Sequence, residues 1–143
     1  MLARMTDVAA LFDELCLRWV READVVYQQT GAVTPTLVVL PRDAAADEVA
    51  FRLDGLRGNL VERSAAILDD LRPAVAPYEP AGLVFLTAVR DDVAVYVTLG
   101  QPRLRRALWL RVVPGEPPSL TRADTDPPTE HFAWLDALLE ARP

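Results

Sequence analysis

The sequence predicts one α+β domain spanning residues 1–143, in which about five antiparallel or mixed strands are packed by three helices. Three observations favour this class. Stretches with strand patterning outnumber stretches with helical patterning, and the strands come in hairpins. Only one helix is available as a crossover between strands, which argues against repeated strand–helix–strand units. The expected order of elements is αββαβββα.

The first element is an amphipathic helix over residues 6–23. Its apolar side chains recur at spacings of three and four residues, and charged side chains occupy the opposite face. Thr6 is a suitable N-cap, and Asp7 suits a first turn, where the helix dipole favours negative charge. A loop is expected to follow through residues 28–31.

Two strands and a second helix are expected next. Residues 36–40 form a continuous apolar run between two prolines, which indicates a strand buried on both faces. Residues 49–53 alternate between apolar and polar, which indicates a strand with one buried face. We expect these strands to form an antiparallel hairpin. The second helix is expected to begin at the N-cap Asn59, and Pro73 either ends it or leaves a kinked extra turn.

The second half of the chain is expected to supply most of the sheet. Three strands are predicted there, over residues 83–90, 93–99 and 107–113. The aspartates at positions 91–92 are suited to a hairpin turn between the first two. The polar residues 119–126 allow a short edge strand. Asp126 followed by Pro127 is typical of a helix start, and apolar spacing predicts a closing helix to about Arg142.

Composition argues against several classes of function. The chain has 15 basic residues, all arginine, against 21 acidic ones, and its net charge is −6. Because the phosphates of nucleic acids require clustered positive charge, we expect no nucleic-acid binding. No apolar run approaches the roughly 18 residues of a transmembrane helix, so we expect no membrane partner and a cytoplasmic location. The absence of lysine and the single isoleucine are typical of a high-GC bacterial genome.

Residue types with catalytic chemistry are scarce. The one cysteine, Cys16, excludes an intramolecular disulfide and lies on the apolar face of the first predicted helix, where we expect a core residue. A carboxylate–metal enzyme would depend on residues near the closing helix, namely Asp124, Asp126, Glu130 and His131. Their spacing is not that of a calcium-binding loop. We therefore expect no catalytic residues, no metal and no cofactor, and a protein that is not an enzyme.

One concentration of positive charge occurs in this acidic chain. Arg103, Arg105 and Arg106 fall in a predicted loop between two strands. Guanidinium groups bind carboxylates and phosphates through paired hydrogen bonds. The loop is therefore a candidate site for an anion or a partner protein, and the alternative is a solvated loop paired with the chain's own acids.

Aromatic residues indicate a second candidate site. Both faces of the predicted sheet carry apolar or aromatic side chains, so either helices cover both faces or one face is an interface. Tyrosine, tryptophan and arginine are enriched at protein contact surfaces. The candidate interface residues are Tyr96, Trp109 and Trp134.

These observations favour a non-enzymatic bacterial protein that acts by association, as a homodimer or as an adaptor that binds another protein. In size, acidity and predicted class the chain resembles small acidic α+β dimers such as the type III secretion chaperones, without a shared motif. The alternative is a domain that binds a small molecule or anion through the loop 103–106. The carboxylate–metal enzyme is the third and least favoured hypothesis.

Overall fold

Six strands form one antiparallel sheet in the computed structural model, which describes residues 2–43, 45–53, 62–89 and 91–143, with side chains from residue 8 onward. The strands are β1 (Thr36–Pro41), β2 (Val49–Arg52), β3 (Pro80–Val89), β4 (Asp92–Leu99), β5 (Leu104–Val113) and β6 (Ser119–Arg122). Their order across the sheet is β2-β1-β3-β4-β5-β6, and every neighbouring pair is antiparallel. The predicted α+β class is confirmed.

Helical elements flank the sheet. Helix α1 (Leu2–Thr30) precedes it, and α2 (Ser64–Val75) lies between β2 and β3 in the chain. The expected start of α2 at Asn59 lies outside the described residues. The closing segment was expected as an α-helix, but it winds as 3₁₀ turns over Thr129–His131 and Ala133–Glu140. Its backbone hydrogen bonds span three residues, as 3₁₀ geometry requires. Ala133–Glu140 is named the C-terminal 3₁₀ helix below.

Helix α1 is longer than expected and continues through part of the predicted loop. It ends where Gly31 adopts a φ of +73°, a conformation that glycine reaches at little cost. The Gly31 N–H donates to the Tyr27 carbonyl at 2.8 Å, and the Thr30 hydroxyl donates to the Val26 carbonyl at 2.8 Å. These bonds satisfy carbonyl groups of the last helical turn.

The short edge strand that the sequence allowed within residues 119–126 is present. It spans Ser119–Arg122, pairs with β5 and brings the sheet to six strands, against an expected count of about five. Strand β5 begins at Leu104, so Arg105 and Arg106 lie in a strand rather than in a loop. The hairpin of β4 and β5 is therefore longer than expected. Its last pair, Leu99 with Leu104, lies beyond the predicted start of the strand at residue 107.

The sheet separates two apolar layers, because alternate side chains of each strand point to opposite faces. The layer between α1 and the sheet includes Phe12, Cys16, Trp19, Val84, Val95, Leu108 and Leu110. The layer between the sheet and the pair formed by α2 and the C-terminal 3₁₀ helix includes Ile67, Leu71, Phe85, Tyr96, Phe132, Leu135 and Leu138. Helical elements therefore cover the central strands on both faces.

Truncation of a core leucine tests this arrangement. Leu108 is 1% exposed, and we expect Leu108→Ala to lower the free energy of unfolding because it removes buried methyl groups and leaves a cavity. The expected loss is about 2–5 kcal/mol. Val113 on β5 is 40% exposed and belongs to neither apolar layer, so Val113→Ala is a control that should change stability by only about 0.5 kcal/mol. Urea denaturation measures both, and equal losses would contradict the assigned burial.

Candidate functional site

Three arginines from distant segments of the chain line one cleft. Arg42 follows β1, Arg103 lies in the turn between β4 and β5, and Arg142 follows the C-terminal 3₁₀ helix. The cleft has a volume of about 470 Å³. The other residues that line it are Pro80, Ala81, Gly100, Gln101, Leu139 and Glu140.

The antiparallel sheet places these segments together. The end of β1, the start of β3, the end of β4 and the start of β5 all meet at one end of the sheet. Leu40 pairs with Gly82, Gly82 pairs with Leu99, and Leu99 pairs with Leu104. The C-terminal 3₁₀ helix contacts β3 and brings the last residues to the same end. The order of the strands and the docking of the last segment therefore bring the cleft residues together.

The three guanidinium groups differ in their present partners. Arg103 Nη2 lies 3.7 Å from Asp136 Oδ2, which is a loose ion pair. Arg142 Nη1 donates to two carbonyl oxygens of its own segment, at 3.1 and 2.7 Å. Arg42 has no ion pair with any residue that the structure describes. Glu140 is the one carboxylate among the lining residues, so the cleft has a surplus of positive charge.

A buried carboxylate lies behind Arg103. Asp136, on the C-terminal 3₁₀ helix, is 4% exposed. Its Oδ1 accepts a hydrogen bond of 2.7 Å from the Tyr96 hydroxyl, whereas its Oδ2 has no hydrogen-bond partner. Oδ2 lies 3.4 Å from Arg105 Nη1 and 3.7 Å from Arg103 Nη2. Because an uncompensated buried charge is costly, the two guanidinium groups serve as its counter-ions.

Tyr96 is part of this buried network. The pKa of its hydroxyl is raised, first by burial and then by the hydrogen bond to the Asp136 carboxylate, since both disfavour the phenolate. The ring stacks on Phe132, with 5.5 Å between the ring centroids. Tyr96 is 1% exposed and has no surface to offer a partner. The residue expected at an interface is therefore a core residue in this structure.

The predicted cluster of three arginines is divided by the sheet. Successive residues of a strand point to opposite faces, so Arg105 faces Asp136 and Arg106 faces α1. Arg106 Nη1 lies 2.6 Å from Asp13 Oδ1, and its guanidinium carbon lies 5.3 Å from the centroid of the Phe12 ring. Arg103 and Arg105 belong to the candidate site, and Arg106 does not.

The two predicted interface tryptophans lie on the same side of the sheet as α2. Trp109 and Trp134 are half-buried and pack against the apolar layer of that side. Trp134 Nε1 donates to the His131 carbonyl at 3.0 Å. Both tryptophans are partly exposed, whereas Tyr96 is buried.

Three residues of the site were not found from the sequence, namely Arg42, Asp136 and Arg142. Arg42 and Arg142 are isolated basic residues without a local pattern. One signal was available for Asp136, because it interrupts an apolar run in the closing segment that is otherwise Ala133, Trp134, Leu135, Ala137, Leu138 and Leu139. An acid within such a run predicts a buried charge that requires a partner.

Among the residues that the structure describes, the other chemistry-bearing side chains do not converge on a site. The described part of the chain contains no group of three or more side chains able to hold a metal ion. Asp126, one of the acids considered for a metal, pairs with Arg122 at 3.1 Å. Cys16 lies on the buried face of α1, and burial raises the pKa of its thiol. No helix among the described residues is long and apolar enough to cross a membrane.

Comparison with known proteins adds no relative. No family model, no curated protein and no solved structure matches the chain.

Alkaline titration tests the Tyr96 network. The pKa of Tyr96 is raised in the folded chain above the unfolded value of about 10. The protonated hydroxyl therefore contributes its full stabilisation of the fold below about pH 10, and this contribution is lost as the pH rises further. We expect the free energy of unfolding to fall more steeply in the wild type than in Tyr96→Phe above about pH 10. Urea denaturation at increasing pH measures this, with Tyr27→Phe as the control. Parallel wild-type and Tyr96→Phe curves would contradict the network.

Proposed function

We propose that this chain is a binding domain for a small anionic ligand, held in the cleft of Arg42, Arg103 and Arg142. The observation that carries the proposal is the convergence of three guanidinium groups on one cleft of about 470 Å³. Clefts of roughly 300–1,000 Å³ suit small molecules. Guanidinium groups recognise carboxylates and phosphates with charge-assisted, paired hydrogen bonds.

The lining favours a compact ligand with one strongly anionic end. Arg42 has no ion pair in the described chain to give up, so it can bind the anion at little cost. The apolar part of the lining is formed by Pro80, Ala81 and Leu139. Gln101 and Glu140 supply acceptor atoms, which suit a hydroxyl or amino group on the same ligand. Inorganic phosphate and pyrophosphate are the simplest probes of the anionic end.

The overall charge of the chain limits how the ligand is recognised. A net charge of −6 repels anions at long range. This repulsion is screened beyond about 8–10 Å at ordinary salt concentrations. Binding energy must therefore come from direct contact with the guanidinium groups, so the proposal predicts affinity without electrostatic steering.

Arginine variants test the proposal by calorimetric titration with pyrophosphate. We expect Arg42→Ala and Arg142→Ala each to weaken binding about tenfold, because each removes a charge-assisted hydrogen-bond donor. Arg106→Ala is the matched control, since Arg106 lies on the opposite face of the sheet beside Asp13. An equal loss in Arg106→Ala, or a wild type that binds neither pyrophosphate nor phosphate, would refute the cleft.

We propose self-association as a second function, because α1 covers only part of its face of the sheet. Six strands span about 24 Å, whereas one helix is about 10 Å wide. Helix α1 contacts β4, β5 and β6, and a groove of about 390 Å³ lies between α1 and the strands β1 and β2. The other face carries two helical elements, α2 and the C-terminal 3₁₀ helix.

The proposed occupant of this groove is α1 of a second copy. Val26 lines the groove and is itself 39% exposed. The same helix exposes Leu11, Leu17 and Val25. Helix α1 thus forms one wall of the groove and also presents apolar side chains that can enter the groove of a second copy. A two-fold interface requires such a self-complementary surface. The proposal retains the homodimer hypothesis but places the interface at α1 rather than at Tyr96, Trp109 and Trp134.

Light scattering tests the dimer. We expect the mass of two chains at both low and high salt, because the contact is apolar. Val26→Glu should give the mass of one chain. Val113→Glu is the matched control, since Val113 is 40% exposed on β5 and is not among the residues lining the groove. A wild type that stays monomeric at all concentrations, or dissociation by the control variant as well, would refute the α1 interface.

A further inference from the structure

We infer that Asp136 is an internal counter-ion of the cleft, which a bound anion displaces from Arg103. The inference rests on the anion-binding function proposed above and concerns its regulation. Asp136 and the ligand carry the same charge and require the same guanidinium group. The affinity of the cleft is therefore set by a competition within the chain.

Arg103 is the residue that the two sites share. It lines the cleft, and its Nη2 lies 3.7 Å from Asp136 Oδ2, which is too long for a hydrogen bond. The Arg103 side chain is 54% exposed, so it can turn towards the cleft without disturbing the core. At 3.7 Å the Arg103–Asp136 pair has no hydrogen bond, whereas direct contact with an anion supplies paired, charge-assisted hydrogen bonds.

Asp136 can release Arg103 because other partners remain. The Tyr96 hydroxyl donates to Oδ1 at 2.7 Å, and Arg105 Nη1 lies 3.4 Å from Oδ2. Arg105 is not among the residues that line the cleft, so a ligand there leaves it beside the carboxylate. The buried charge of Asp136 thus stays compensated after Arg103 turns away.

Two variants should change the affinity in opposite directions. Asp136→Asn removes the competing charge and keeps an oxygen that can accept from Tyr96, so we expect pyrophosphate to bind about three- to tenfold more tightly. Tyr96→Phe removes the hydrogen bond to Oδ1 and leaves the carboxylate more dependent on the arginines. We therefore expect this variant to bind pyrophosphate more weakly. General damage to the site would weaken binding in both variants.

Calorimetric titration of pyrophosphate into the full chain, at one low ionic strength, measures both variants and the wild type. In an Arg103→Ala background, Asp136→Asn should no longer tighten binding, because the shared residue is absent. Weaker or unchanged binding by Asp136→Asn, beside a wild type that binds, would overturn this inference and leave the cleft intact. A wild type that binds no anion would overturn the proposed function and the inference together.

Discussion

The burial of β3 and β4 on both faces is the constraint on which the rest of the structure depends. Both strands carry apolar side chains in both directions, such as Val84 and Phe85 in β3. A sheet built around them loses stability unless each face is removed from water. Helix α1 covers one face, and α2 with the C-terminal 3₁₀ helix covers the other. The edge strands β2 and β6 have four residues each and are more exposed than the central strands.

The cover over the second face brings a charge into the core layer. Leu135 and Leu138 anchor the C-terminal 3₁₀ helix on the sheet, and both are fully buried. Asp136 lies between them and meets Tyr96 and Arg105, which lie on the same face of the sheet. A buried carboxylate is tolerated only with hydrogen bonds and counter-ions. The packing of the last segment and the electrostatics of the arginine cleft are therefore coupled through one side chain.

The candidate binding regions lie where backbone pairing ends or helical cover is incomplete. The arginine cleft occupies the end of the sheet at which β1, β3, β4 and β5 meet, and its three arginines lie in connecting segments outside the strands and helices. The groove beside α1 exists because one helix is narrower than six strands. The two regions lie on different elements and involve different chemistry, charge in the first and apolar surface in the second. The two proposed functions therefore use separate surfaces of the chain.

The sequence by itself determined the α+β class, the first hairpin, the apolar character of both sheet faces and the strongly acidic composition. Local spacing carries this information, because side-chain periodicity reports which face of a strand or helix is apolar. It also identified Arg103 and Arg105 as residues of interest, but it grouped them with Arg106, which strand alternation sends to the other face. Only the tertiary structure decided that Tyr96 is buried, that Asp136 lies against it and that Arg42 and Arg142 join Arg103. Arg42 and Arg142 are 100 positions apart, and strand order and the docking of the last segment bring them together through contacts that no local pattern encodes.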